Sequence, residues 1–118
     1  MEKITPEIKK IIEGNIVAFA TANEKGRPRV IAVGEVKVVA PDTLLVGDVY
    51  MEKTLRNLRV NSRVSLVVWG KDYLGFTLSG EIEYFSDGKW FNKAKEIHEG
   101  YSVKGAILVE ISEVEKLK

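Results

Sequence analysis

Short apolar segments separated by turn signals are the feature that most constrains the fold of this chain. Runs of this kind, rich in Val, Ile, Leu and aromatic residues, predict β-strands. There are six of them, over residues 15–21, 29–39, 43–47, 63–69, 73–85 and 106–111. A parallel arrangement would need a helix between most successive strands, and the sequence does not supply one.

The connections between the first three strands indicate how these strands pair. Asn23-Glu-Lys-Gly26 predicts a hairpin turn and Ala40-Pro-Asp42 predicts a second turn. Connections this short force antiparallel pairing. Gly34, inside the second run, indicates either a β-bulge or a close approach to the backbone. The sequence therefore predicts a mainly β fold, a six-stranded antiparallel barrel with short helices in its connections.

Three helices are predicted between the strands. Thr5 followed by Pro6 is typical of a helix start, and isoleucines at helical spacing continue until Gly14. Two further amphipathic segments cover residues 51–60 and about 89–98. No repeat or linker divides the chain, so we expect one domain over residues 1–118.

Composition narrows the chemistry that the chain can perform with its own side chains. The 118 residues contain no cysteine and one histidine, His98. Disulfides, thiolate metal sites and cysteine nucleophiles are therefore excluded, and we expect no metal site. We expect His98, near a helix end, to be a favourable charge partner rather than a general base. A bound organic cofactor is the better hypothesis for any catalytic activity.

The net charge and the length of the apolar runs bear on the cellular location of the protein and on its binding partners. The net charge of +1 argues against nucleic acid as a partner, and no apolar run is long enough to span a membrane. No signal peptide is evident, so we expect a cytoplasmic protein. The charge is unevenly distributed, because residues 25–63 hold eight basic and four acidic side chains, including all five arginines. This distribution suits one small anion.

Lys53 and Thr54 open the predicted helix over 51–60. The first turn of a helix has unpaired backbone N–H groups and a partial positive charge, both of which favour phosphate. Lys53 would add a charge and Thr54 a hydroxyl group. Such pairs also occur on solvated helices, so the pair alone is a weak indication of a phosphate site.

Three ordered segments make the chain resemble a known family. They are the strand and hairpin Ile16-Val-Ala-Phe-Ala-Thr-Ala-Asn-Glu-Lys-Gly-Arg-Pro-Arg-Val-Ile, the helix Met51-Glu-Lys-Thr-Leu-Arg-Asn-Leu, and the strand Asn61-Ser-Arg-Val-Ser-Leu-Val-Val. In this order and spacing they resemble the pyridoxamine 5'-phosphate oxidase-like family of FMN-binding split barrels, in particular its small single-domain members. The resemblance extends over about residues 12–112.

The resemblance implies a six-stranded Greek-key split barrel that forms a homodimer, with FMN at the subunit interface. It implies that Lys53 and Thr54 hold the FMN phosphate, and Asn57 matches the helix asparagine of the family. The flavin ring and ribityl chain would lie along the second and third strands, at Ile31, Ala32, Val33, Val46, Gly47 and Asp48. Backbone groups would make many of these contacts.

Two function classes follow from the resemblance. The first is a small FMN-dependent oxidoreductase or electron carrier. The second is a split-barrel binding module for another ligand, haem or a deazaflavin, without flavin redox activity. The substrate-binding Arg and His residues of the larger oxidases have no counterpart here, so the small-molecule substrate and the catalytic residues stay unassigned. We expect the aromatic residues Trp69, Trp90 and Tyr101 to be core or dimer contacts rather than stacking partners of a flavin.

Overall fold

The computed structural model describes residues 3–117, so Met1, Glu2 and Lys118 lie outside the described part of the chain. Within residues 3–117, seven strands and three α-helices follow one another along the sequence. In chain order they are α1 (Pro6–Gly14), β1 (Val17–Ala22), β2 (Pro28–Val33), β3 (Lys37–Ala40), β4 (Thr43–Asp48), α2 (Glu52–Val60), β5 (Arg63–Trp69), β6 (Gly75–Phe85), α3 (Gly88–Ile97) and β7 (Gly105–Lys116). A short 3-10 turn at Lys71–Tyr73 connects β5 to β6.

All strands pair antiparallel in one sheet, in the order β2-β1-β5-β6-β7-β4-β3. The prediction of a mainly β, antiparallel fold with short helices is thus confirmed, whereas the prediction of six strands is wrong. The predicted single strand over 29–39 is two strands, because β2 pairs with β1 while β3 pairs with β4. The last strand also continues beyond the predicted end at Ile111, to Lys116.

The connection between β2 and β3 forces the sheet to curl. These strands occupy opposite edges of the sheet, yet only residues 34–36 separate them. Such a linker spans at most about 14 Å, whereas seven strands laid flat would place the edges about 29 Å apart. Glu35 within the linker has a φ of 54°, in the left-handed region that non-glycine residues rarely adopt. Gly34 therefore marks a crossover between edges rather than a bulge in a strand.

The curled sheet surrounds the main core. Alternate residues of β1 and β5 point inward, and the buried Phe19 pairs with Leu66, which pairs with Leu78 of β6. Helix α1 covers one opening of this core with the buried side chains of Ile8 and Ile12. Within residues 3–117, none of the three α-helices is both long and apolar enough to cross a membrane.

Helix α3 covers part of the outer face of the sheet. Its buried residue Ala94 packs with Leu45 of β4 and Ala106 of β7. Trp90 is half-buried beside the same cluster, as expected for a core contact. The outer face of β2, β1 and β5 has no helix over it, and Val30 and Trp69 are exposed there. The two ends of the sheet therefore differ in how their outer faces are covered.

Candidate functional site: a cleft where the sheet divides

A cleft of about 230 Å³ opens beside the crossover linker, between the end of β2 and the end of β4. Strand β3 stops pairing with β4 at Lys37 and Leu45, so residues 46–48 extend beyond it. The crossover linker bridges the resulting gap. Residues lining the cleft are Val33, Gly34, Glu35, Gly47, Val49, Tyr50, Met51, His98 and Tyr101. The cleft thus touches both strands that the sequence assigned to a flavin.

Strand β2 forms one wall of this cleft. Ile31 is half-buried against the core, Ala32 is exposed and Val33 is buried. Because β2 is an edge strand, part of its backbone N–H and C=O groups have no neighbouring strand. At Gly34 an added Cβ would meet no atom within 4 Å, so the backbone there is open to a ligand. This wall can therefore offer backbone hydrogen bonds.

Strand β4 forms the opposite wall. Val46 is buried in the main core and offers no side chain to the cleft. Gly47 lies directly beneath the imidazole of His98, and an added Cβ would stand 2.3 Å from His98 Cδ2. Only glycine admits this packing. Six residues in two strand segments were assigned to the flavin from the sequence. Of these six, Val33 and Gly47 line the cleft.

Asp48 does not line the cleft. Its carboxylate is fully buried, and Oδ2 accepts a hydrogen bond of 2.8 Å from the Tyr84 hydroxyl. Its other oxygen, Oδ1, has no partner among residues 3–117. Burial, followed by the hydrogen bond and the negative charge of Asp48, raises the pKa of Tyr84 to about 12, against a smaller opposing effect of Arg59. The Asp48 side chain therefore makes a contact within the fold and does not contribute to the cleft.

The start of α2 lies beside the cleft and has no side-chain cap. Met51 occupies the N-cap position and forms no capping hydrogen bond, so N–H groups of the first turn lack a side-chain acceptor among residues 3–117. Lys53 is exposed and makes no ion pair among residues 3–117. The nearby Glu52 lies 3.3 Å from Arg56, which offsets its charge. The helix start can therefore attract an anion.

Thr54 and Asn57 lie deeper than Lys53. Thr54 is only 1% exposed, so little of it reaches solvent. Asn57 Nδ2 donates a 3.0 Å hydrogen bond to Oγ1 of the buried Thr21 on β1. Asn57 therefore fixes α2 to the sheet. Of the three helix residues named from the sequence, Lys53 is the one that the structure presents at the surface.

His98 lines the cleft, although the sequence predicted only a charge partner at a helix end. It ends α3, is 9% exposed, and its Nδ1 lies 3.3 Å from Oε2 of Glu35. We expected a charge partner for the helix end, whereas the imidazole packs on Gly47 and faces the crossover linker. Tyr101, expected in the core or a dimer contact, is exposed at the cleft. No local pattern links residues 34–35 to His98, because the fold alone brings them together.

A larger concave surface of about 1290 Å³ crosses the outer face of β1, β5, β6 and β7. Small and polar residues line it, among them Ala20, Ser65 and Ser79, and it includes no residue that the sequence assigned to a cofactor. The start of α2 and the end of β2 instead meet at the smaller cleft, which Met51 and Val33 line. No group of three or more acidic or histidine side chains within residues 3–117 is placed to hold a metal ion.

Known structures share this fold. HupZ of Group A Streptococcus superposes with a TM-score of 0.88 at 20% identity, covering 97% of this chain and 94% of that one. An FMN-binding protein from Syntrophomonas wolfei gives 0.86 at 15% identity, covering 94% and 84%. The haem storage protein HutZ of Vibrio cholerae gives 0.68 at 18% identity, covering 97% and 94%. An F420 reductase gives 0.73 at 18% identity, covering 95% and 98%. Identities this low establish a shared fold only.

Sequence comparison identifies the family. An uncharacterized protein of Methanocaldococcus jannaschii is 32% identical over 122 aligned positions, which cover 98% of this chain and 82% of that protein. The family model described as pyridoxamine 5'-phosphate oxidase matches residues 4–116, nearly the whole chain. The resemblance inferred from the three ordered segments is thereby confirmed. The chain belongs to the pyridoxamine 5'-phosphate oxidase family.

Proposed function

We propose that this protein is a homodimeric FMN-binding flavoprotein, a small oxidoreductase or electron carrier built from one domain over residues 1–118. The observation that carries the proposal is the uncapped start of α2, with the exposed Lys53, beside a cleft between β2 and β4. Membership of the family and the shared fold of an FMN-binding protein support the same cofactor.

The phosphate of FMN binds at the start of α2. Lys53 supplies a positive charge, and N–H groups of the first turn supply hydrogen-bond donors. Because Thr54 is almost fully buried, its hydroxyl is a contact only if the first turn shifts on binding. Asn57 contributes by holding the helix against β1.

The ring of FMN lies in the cleft, along Ile31, Ala32 and Val33 on one side and Gly47 on the other. The unpaired backbone groups of the edge strand and the open backbone at Gly34 suit the polar edge of a flavin. Val46 and Asp48 contribute through the shape of β4, since both side chains are buried and neither residue lines the cleft. Apolar residue types at these positions are therefore compatible with the site.

A second copy of the chain completes the site. At about 230 Å³ the cleft is smaller than the 300–1,000 Å³ typical of sites for ligands of this class. The uncovered outer face of β2, β1 and β5 adjoins it and exposes Ile16, Val30 and Trp69 by 67%, 65% and 46%. Exposed apolar surface of this kind marks an interaction site, so we place the homodimer contact there.

FMN supplies the redox chemistry when it is bound, and the chain binds, orients and shields it. This division of labour suits a chain without cysteine and with a single histidine.

A second candidate function is binding of haem or a deazaflavin without flavin redox activity. The shared fold of a haem storage protein and of an F420 reductase supports it. The chain offers haem one imidazole as an axial ligand, His98, whose Nδ1 faces Glu35.

The test is a spectrum followed by competitive titration. We expect purified protein to carry yellow FMN or to bind added FMN, more tightly than haem or a deazaflavin, and to migrate as a dimer. A colourless protein that takes up no FMN, or that prefers a non-flavin ligand, would contradict the proposal.

A further inference from the structure

We propose that His98, positioned by Glu35, binds the pyrimidine edge of the flavin ring and so selects the cofactor by its ring as well as by its phosphate. This inference rests on the proposed function and extends it to the helix end of α3, which sequence reasoning did not assign to the cofactor. Three features of the cleft carry the inference.

The first feature is the fixed position of the imidazole. His98 is buried at the end of α3, where its backbone N–H donates to Ala94 O at 3.0 Å and its carbonyl accepts from Tyr101 N at 3.0 Å. Oε2 of Glu35 lies 3.3 Å from Nδ1. A ring nitrogen held by a carboxylate sets the orientation of the whole imidazole. Both ends of the residue are therefore held by the protein.

The second feature is the free nitrogen of the imidazole. Nε2 forms no hydrogen bond within residues 3–117, and it is not among the fully enclosed atoms that lack a partner. It lies over Gly47, 2.6 Å from where a Cβ would stand. The absent side chain of Gly47 thus leaves room for the edge of the imidazole that carries Nε2.

The third feature is the chemistry of the surrounding cleft. Tyr50 and Tyr101 place exposed aromatic side chains at its rim, and Gly34 leaves its backbone open. A planar ring with a polar edge matches these surfaces. The pyrimidine edge of a flavin carries an N–H donor at N3 between two carbonyl groups. With its hydrogen on Nδ1, which faces Glu35, the imidazole offers Nε2 as an acceptor for that N–H.

The proposed contact explains the unfavourable backbone conformation of Glu35. Its left-handed backbone, with a φ of 54°, is unfavourable for a residue with a side chain. Glu35 lies in the linker that joins the two sheet edges, and its conformation there places the carboxylate beside His98. Glu35 is therefore a positioning residue, whereas His98 contacts the ligand.

The experiment compares riboflavin with 3-methylriboflavin, in which a methyl group blocks the N3 donor. Dissociation constants are measured by flavin fluorescence for the full chain and for the variants His98→Phe, Glu35→Gln, Lys53→Ala and Lys95→Ala. His98→Phe keeps an aromatic ring over Gly47 and removes both nitrogens. Lys53→Ala alters the opposite end of the site, and Lys95→Ala removes a charge from the exposed side of α3.

We expect the unchanged protein to bind riboflavin about tenfold more tightly than 3-methylriboflavin, because the methyl group removes one hydrogen bond. His98→Phe should reduce this preference to about twofold and weaken FMN and riboflavin equally. Lys53→Ala should weaken FMN alone and keep the preference, and Lys95→Ala should change neither. If His98→Phe does not fold, Glu35→Gln should still reduce the preference about threefold.

An unchanged preference in His98→Phe, or in Glu35→Gln if His98→Phe does not fold, would overturn this inference and leave FMN binding intact. A chain that binds no FMN at all would overturn the proposed function together with the inference.

Discussion

Helices α1 and α2 are equally long but begin in different ways. Thr5 caps α1, since its Oγ1 accepts a 3.3 Å hydrogen bond from the N–H of Ile8, and Pro6 follows. Met51 precedes α2 and provides no cap. Asn57 instead ties α2 to Thr21 of β1. The start of α1 is therefore closed by a capping side chain. The start of α2 is open, and α2 is held to the sheet by a residue in the middle of the helix.

The difference separates a structural helix from a binding helix. A cap satisfies orphan N–H groups and stabilises the helix, but it also occupies the position that an anion would take. An open start keeps these donors available, and the helix must then be stabilised elsewhere. In α2 that stabilisation comes from Asn57 and from the buried Leu58.

Removing the charge at the open start is expected to have the largest effect. Lys53→Ala should weaken FMN binding about thirtyfold, or about 2 kcal/mol, because a charge-assisted hydrogen bond is lost. Riboflavin, which lacks the phosphate, should bind almost as before. Titration of flavin fluorescence measures both constants.

Lys9→Ala is the matched control for this change, because Lys9 is an exposed lysine on the closed helix. It should leave FMN binding unchanged. Equal losses in Lys53→Ala and Lys9→Ala, or an equal loss of riboflavin binding in Lys53→Ala, would show that α2 does not hold the phosphate.

Removing the anchor of the open helix should affect stability. Asn57→Ala leaves the buried Thr21 hydroxyl without its partner and should lower the free energy of unfolding by about 1.5 kcal/mol. Urea denaturation measures this loss, and FMN binding should weaken as well because the helix start is no longer fixed. Unaltered stability would mean that α2 does not depend on this bond.

Removing the cap of the closed helix should affect stability alone. Thr5→Ala should lower the free energy of unfolding by about 1 kcal/mol, the usual size of an N-cap. Thr5→Ser, which keeps the oxygen, serves as the control. A change in FMN affinity in Thr5→Ala would contradict the division of roles between the two helices.

The opposite ends of the helices also differ. The last turn of α1 has no basic residue, whereas that of α2 has Arg59, whose charge acts on Tyr84. The pKa of Tyr84 is about 12, above the ordinary value of 10. The unfolded chain therefore loses this proton first, so stability declines as the pH rises from about 10 through about 12.

Tyrosinate absorbance checks this expectation. One of the four tyrosines should titrate near pH 12 and be missing in Tyr84→Phe. The stability difference between the unchanged protein and Tyr84→Phe should narrow over the same pH interval. Titration of all four tyrosines near pH 10 would show that Tyr84 is not held by burial and Asp48.

The elements that the sequence predicted well depend on local signals. The boundaries of α1 follow from Thr5, Pro6 and Gly14, all within one segment, and the structure has the helix at Pro6–Gly14. The position of Lys53 near the start of α2 was likewise predicted, because the amphipathic spacing over 51–60 is a property of that segment alone.

The elements that escaped prediction depend on distant partners. The Val- and Ile-rich run over 29–39 has one composition, and nothing in it indicates that its two halves pair with β1 and with β4. Gly34 was the one available signal, and it was compatible with a bulge. His98 was assigned to its own helix end because Glu35 and Gly47, which define its position, are remote in sequence. Periodicity reports on a segment and not on its partner.

The crossover between β2 and β3 also has a consequence for folding kinetics. The hairpins β1–β2 and β3–β4 form from neighbouring residues, yet they end at opposite edges, with β5, β6 and β7 between them. The short linker keeps both hairpins together while the central strands are inserted. We therefore expect the pairing of β7 with β4 and of β1 with β5 to limit the rate of folding, because it joins residues far apart in the chain. Changes in β7 should slow refolding more than changes in either hairpin turn.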